Sequence, residues 1–152
     1  MSVDEQGDTS RRMATSRRDT RQFADFARIH AINGKLITRE DEMRILKEGV
    51  TRFGMELEEA RGILLRVAAE HDIALVSTAE HHVETMLEQL VKRGKIGRKE
   101  FEDVVAFYGK LTGGGVSVPE ISKRVKQMVQ EHGWRGRRTR RIFGSRKWFR
   151  RI

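Results

Sequence analysis

Two stretches of this chain hold residue types that can do chemistry. The first is WRGRRTRRIFGSRKWFRRI, from Trp134 to Ile152, with nine Lys or Arg, four large aromatics and no acid. Guanidinium forks match phosphate oxygens and release counterions, and flat rings stack on unpaired bases. The candidate polyanion-binding residues are therefore Trp134, Arg135, Arg137, Arg138, Arg140, Arg141, Arg146, Lys147, Trp148, Phe149, Arg150 and Arg151, with Phe143 as a further ring. The second is AEHHVETMLEQ, which sets Glu80, His81, Glu84 and Glu88 at three- and four-residue spacing on a helix. Such spacing can hold a metal in a helical bundle, but a bundle site needs a matching second helix. His30, His71 and His132 stand isolated, so the stretch reads as a solvated acidic face in register with Lys92.

Charge accounting sharpens the first stretch. Of 31 Lys and Arg, nine lie after residue 133, leaving 22 against 22 Asp and Glu. The net charge of +9 therefore belongs to the C-terminal segment, and the rest of the chain is formally balanced. Within that segment two halves differ. Trp134–Arg141 contains Gly136 and shows no apolar face, as expected of a flexible basic arm. From Ile142 to Ile152 a helical wheel puts Ile142, Trp148, Phe149 and Ile152 on one side and Arg146, Lys147, Arg150 and Arg151 on the other. That separation suits an interfacial helix on an anionic membrane. Eight arginines to one lysine favour nucleic acid over a membrane surface; an acidic protein partner, or aromatics folded back on the body, are the other readings.

The elements that must carry these residues are helical. Residues 1–21 are polar and read as a disordered tail, with a basophilic-kinase-like RRDT at 17–20. Helical periodicity starts at Phe23, with Phe26, Ala27, Ile29 and His30, and stops near Asn33-Gly34. Further helices are expected from Thr38 to Arg52, supported by Met43, Ile45, Leu46, Val50 and Phe53, and from Leu57 to His71. DIALVS fits a short strand or a buried connection, and with no partner strand visible the connection is expected; a capping-box pattern at Ser77–Glu80 opens a helix that stops at Gly94. The last two run from Arg98 to Leu111, closed by Gly113–Gly115, and from Ser117-Val118-Pro119-Glu120 to His132-Gly133. The fold class is all-α: about six helices in a compact bundle of helix-turn-helix pairs over 22–133, with a basic aromatic tail at 134–152.

Three helix starts share one spelling: GKLITRE at 34–40, GKIGRKE at 94–100 and GGVSVPE at 114–120. Each resembles the second half of an EF-hand loop, where glycine turns, an aliphatic docks and glutamate enters the next helix. Capping chemistry alone produces much of the same pattern. The ligand positions before the glycines are Ile29, Ala31 and Asn33; Gln89, Val91 and Arg93; Gly109, Leu111 and Gly113, none a carboxylate. Calcium is therefore not expected. NGKLITREDEMRILKEGVTRFGMELEEARGILLRV also resembles tellurite-resistance-B-like helical domains, although it lacks their aspartate before the first glycine. That resemblance implies a non-enzymatic helical module of a bacterial protein assembly.

Other classes find little support. There is no cysteine, no phosphate loop, no nucleophile elbow, and no apolar run of about 18 residues. The expectation is a cytoplasmic adaptor without cofactor, peripheral at the membrane in the alternative reading, with a homodimer as one way to complete its core.

Overall fold

The computed structural model describes residues 4–31, 34–138 and 147–152, with side chains from residue 17 onward. The protein is all-α. Among the described residues there are seven helices: α1 (Asp4–Ala31), α2 (Arg39–Thr51), α3 (Leu57–Glu70), α4 (Val76–Leu90), α5 (Arg98–Leu111), α6 (Val118–Glu131) and the short α7 (Lys147–Arg150). Four two-residue strands separate them: β1 (Leu36–Ile37), β2 (Ala74–Leu75), β3 (Lys95–Ile96) and β4 (Arg135–Gly136). The chain divides into two compact units, Met1–Ile73 and Ala74–Ile152.

Residues 1–3 and the side chains of 4–16, where most of the expected disordered tail falls, lie outside the described set. The helical backbone of α1 runs from Asp4, and Phe23 is its first buried side chain among those described. The Asn33 stop also lies outside the described residues.

The local signals for α2, α3, α5 and α6 act as the sequence indicates. Thr38 caps α2 by accepting from the Asp41 backbone N–H, and Gly54 takes a positive φ of 63° after it. The Ser117 backbone N–H donates to the Glu120 carboxylate at 3.2 Å, and the Ser117 hydroxyl bonds it as well. These bonds hold the Glu120 carboxyl below its ordinary value, so this cap is lost only in acid. Thus the recurring glutamate in the third spelling is a helix cap.

Three local expectations are corrected. Met43 and Val50 do not enter a core; Met43 is 69% exposed, because Ile45, Leu46 and Gly49 form the buried stripe of α2. The Ser77–Glu80 pattern is not a capping box. The helix α4 starts earlier, at Val76, and the Glu80 carboxylate is engaged elsewhere. Gly94 does not stop α4, which ends at Leu90; Gly94 instead turns a tight loop with Arg93, both at positive φ.

The element order helix, strand, helix, helix, strand occurs twice, and the buried registers correspond. Phe23, Ala27 and Ala31 stand 56 positions before Ala79, Val83 and Leu87. Ile45, Leu46 and Gly49 stand 59 before Val104, Val105 and Tyr108, and Ala60, Leu64, Val67 and Ala68 stand 61 before Ile121, Val125, Met128 and Val129. Constant offsets within each helix, across unrelated residue types, are what a shared packing plan requires. The volumes compensate. In the first unit a Cβ on Gly49 would meet the Phe23 ring at 3.0 Å and the Ala60 Cβ at 2.9 Å, so a large ring lies on a bare backbone. At the matching positions the second unit has Ala79 and Tyr108, with the large residue moved to the other helix.

Candidate polyanion interface

The candidate interface is assembled in the second unit from a turn, a two-strand ladder and a C-terminal hook. After α4, Lys92 and Lys95 exchange backbone hydrogen bonds at 3.0 and 3.1 Å. Arg93 and Gly94, both at positive φ, fill the two central positions, as this tight reversal demands. It delivers Lys95–Ile96 as β3.

At the other end, Gly133 ends α6 with φ 70°, and the Trp134 N–H returns to the Val129 carbonyl at 2.8 Å. Trp134 then stacks on His132, their rings 4.4 Å apart. The chain enters β4, which pairs in parallel with β3 in the register Lys95↔Arg135 and Ile96↔Gly136. Arg135 N–H donates to the Gly94 carbonyl at 3.0 Å and Arg137 N–H to that of Ile96 at 2.6 Å. The beginning of the segment is therefore a backbone ladder rather than a free arm.

Alternation along the ladder sorts the side chains. Ile96 and Gly136 face inward and are buried, while Lys95 and Arg135 are matched on the outer side. Neighbouring strands are about 4.8 Å apart, so the backbone holds two cations side by side. Lys92, Arg93, Lys99 and Arg138 are exposed around them. Arg137 approaches Glu100 at 3.9 Å, with both side chains partly exposed, which makes a weak pair.

The aromatic residues take a different course. Phe149 is buried, and both Phe149 and Trp148 meet Phe101 edge-to-face, at 6.0 and 5.7 Å. Gly136 lets them in: a Cβ there would stand 2.8 Å from Phe149 Cβ and 3.1 Å from Trp148 Cζ2. The Trp148 indole N–H donates to the Arg137 carbonyl at 3.1 Å, and Lys126 Nζ lies over the Phe149 ring at 5.7 Å. Of the expected site residues, Trp134, Trp148 and Phe149 thus pack on the unit, while Arg135, Arg137, Arg138, Lys147, Arg150 and Arg151 remain exposed. The apolar side of the expected interfacial helix is directed inward where it is described. Arg140, Arg141, Phe143 and Arg146 lie outside the described residues.

Sequence reasoning missed Lys92, Arg93, Lys95 and Lys99. The signal was present in KRGKIGRK, at 92–99, but the formal neutrality of the body concealed it.

The acidic helix is divided by the fold. Glu80 is 3% exposed; it accepts from Arg124 Nε at 2.7 Å and from the Tyr108 hydroxyl at 3.1 Å. The bond to Glu80 holds the Arg124 guanidinium above its ordinary value, outweighing partial burial. His81 and Glu88 are exposed and Glu84 is half-buried. Among the described residues, no group of three or more His, Asp or Glu is placed to hold a metal ion. Nor is any helix there long and apolar enough to cross a membrane. At the positions matching Glu80 and Arg124 the first unit has Ala24 and Ile63, so this ion pair is particular to the second unit.

Comparison of the chain with protein-family models, curated proteins and solved structures finds no match.

Proposed function

We propose that this protein is a non-enzymatic helical adaptor that binds nucleic acid through the phosphate backbone, using the cations gathered around the β3–β4 ladder. The observation that carries the reading is the Lys95↔Arg135 register. Like charges opposite one another destabilise a ladder, and a bound phosphate turns that repulsion into a two-point contact. The exposed Arg137 and Arg138 follow directly after β4, and Lys92, Arg93 and Lys99 lie in or just after the turn that precedes β3. With Trp148 and Phe149 held against Phe101, recognition runs through charge, so duplex and single strand bind alike. The same packing turns Phe149 inward, away from the apolar face that a membrane-surface helix would present. The absence of cysteine suits a reducing compartment such as the cytoplasm, and the tellurite-resistance-B-like resemblance suits a subunit of a bacterial assembly.

The test is binding to duplex DNA, RNA and anionic vesicles at two salt concentrations, comparing the parent chain with Lys95→Gln/Arg135→Gln. Loss of two phosphate contacts lowers the slope of log affinity against log salt by about 1.8 for duplex DNA. An unchanged slope removes the ladder from the interface, and vesicle binding without nucleic-acid binding overturns the reading. Point variants are preferable to truncation at residue 133, because truncation also removes Phe149 from the core.

A further inference from the structure

The second unit carries a groove of about 1350 Å³ between α5 and the start of α6, walled on one side by the C-terminal hook. Its floor includes Val105, Gly109 and Ile121, and Trp148 and Ile152 form the wall. We propose that this groove seats an amphipathic helix of a partner protein, apolar on the inserted face and acidic along its flank.

Three features select that occupant. Small-molecule pockets usually fall at about 300–1000 Å³, whereas this groove is larger and open to solvent, in keeping with the helix-in-groove mode. Val118 lies on its lip with 65% of its surface in solvent, an apolar side chain left without cover. Gly109 is the third. A glycine inside a helix costs about 0.5–1 kcal/mol relative to alanine, yet a Cβ here would meet only Ile121 Cδ1, at 3.7 Å. Packing within the unit therefore does not demand glycine, and the matching residue of α2 is Val50. The bare backbone on the floor lets another chain approach closely.

Charge fixes the flank. Of the charged residues lining the groove, Arg98 and Glu102 neutralise each other at 2.8 Å. Lys110 and Arg151 remain, both exposed and neither with a carboxylate side-chain partner among the described residues. Two cations on an apolar rim favour glutamate or aspartate on the incoming helix.

The experiment uses the full chain and a designed peptide helix with Leu at i, i+3, i+4 and i+7 and Glu on its flanks, with a second peptide carrying Lys in place of Glu. Saturable binding of the Glu peptide, about tenfold weaker for the Lys peptide, is expected, and Gly109→Leu should weaken the Glu peptide about tenfold by filling the floor. Because leucine favours the helix and the site is open, Gly109→Leu should melt no lower than the parent; Val118→Asp, on the exposed lip, provides a second variant if it does. No saturable binding of the Glu peptide, equal binding of both peptides, or affinity unchanged in both variants overturns the proposal. Self-association abolished by Gly109→Leu also overturns it, because the occupant is then a second copy. Neither variant touches the ladder cations, so nucleic-acid binding should persist in both, and failure here is distinguishable from failure there.

Discussion

Gly136→Ala tests the hook that joins the basic segment to the second unit. The added methyl would lie 2.8 Å from Phe149 Cβ and 2.9 Å from Phe149 Cγ, atoms fixed close to the backbone of α7. Rotating the ring does not relieve the contact, so either β4 or α7 must move. The cost is capped by releasing the hook. Re-exposing Phe149 costs about 1.5–3 kcal/mol, and its edge-to-face contact with Phe101 adds about 0.5–1.5 kcal/mol. The substitution should therefore cost about 2–4.5 kcal/mol, with the hook detached if that route is the cheaper one. Tryptophan emission should shift red, and the amides of Trp148 and Phe149 should lose hydrogen-exchange protection, while α5 and α6 keep theirs. Unchanged emission and protection in a variant as stable as the parent would refute the steric argument. A global loss of structure would instead show that the hook is integral to the unit.

Two further perturbations address the cores. Arg124→Ala takes the cation away from the buried Glu80 carboxylate while the Tyr108 hydroxyl still donates to it, and should cost about 1.5–3 kcal/mol in urea denaturation. Glu80→Met/Arg124→Met should recover most of that loss, since apolar replacement of a buried pair is often neutral or better; a double variant as unstable as Arg124→Ala argues against an electrostatic cause. Gly49→Ala should destabilise the first unit by about 1–3 kcal/mol through contact with Phe23 and Ala60. Adding Phe23→Leu should relieve part of that strain, and a strictly additive loss would contradict the contact.

The sequence alone determined the helices and much of their limits, because these are local matters. Thr38 and Ser117 cap through neighbours three residues away, and Gly54, Gly113 and Gly133 take φ values that other residues resist. It also located nine of the cations, since charge needs no folding to be counted.

Tertiary structure decided what the long-range contacts do to those residues. Glu80 reads as one acid of a solvated face until Arg124, 44 residues away, draws it into the interior. Trp148 and Phe149 read as free to bind because nothing nearby in sequence can cover them; Phe101, more than forty residues earlier, does. The grouping of cations on the second unit emerges in the same way. Lys95 and Arg135 are forty positions apart and become neighbours only because β4 returns alongside β3, and no local pattern encodes that register.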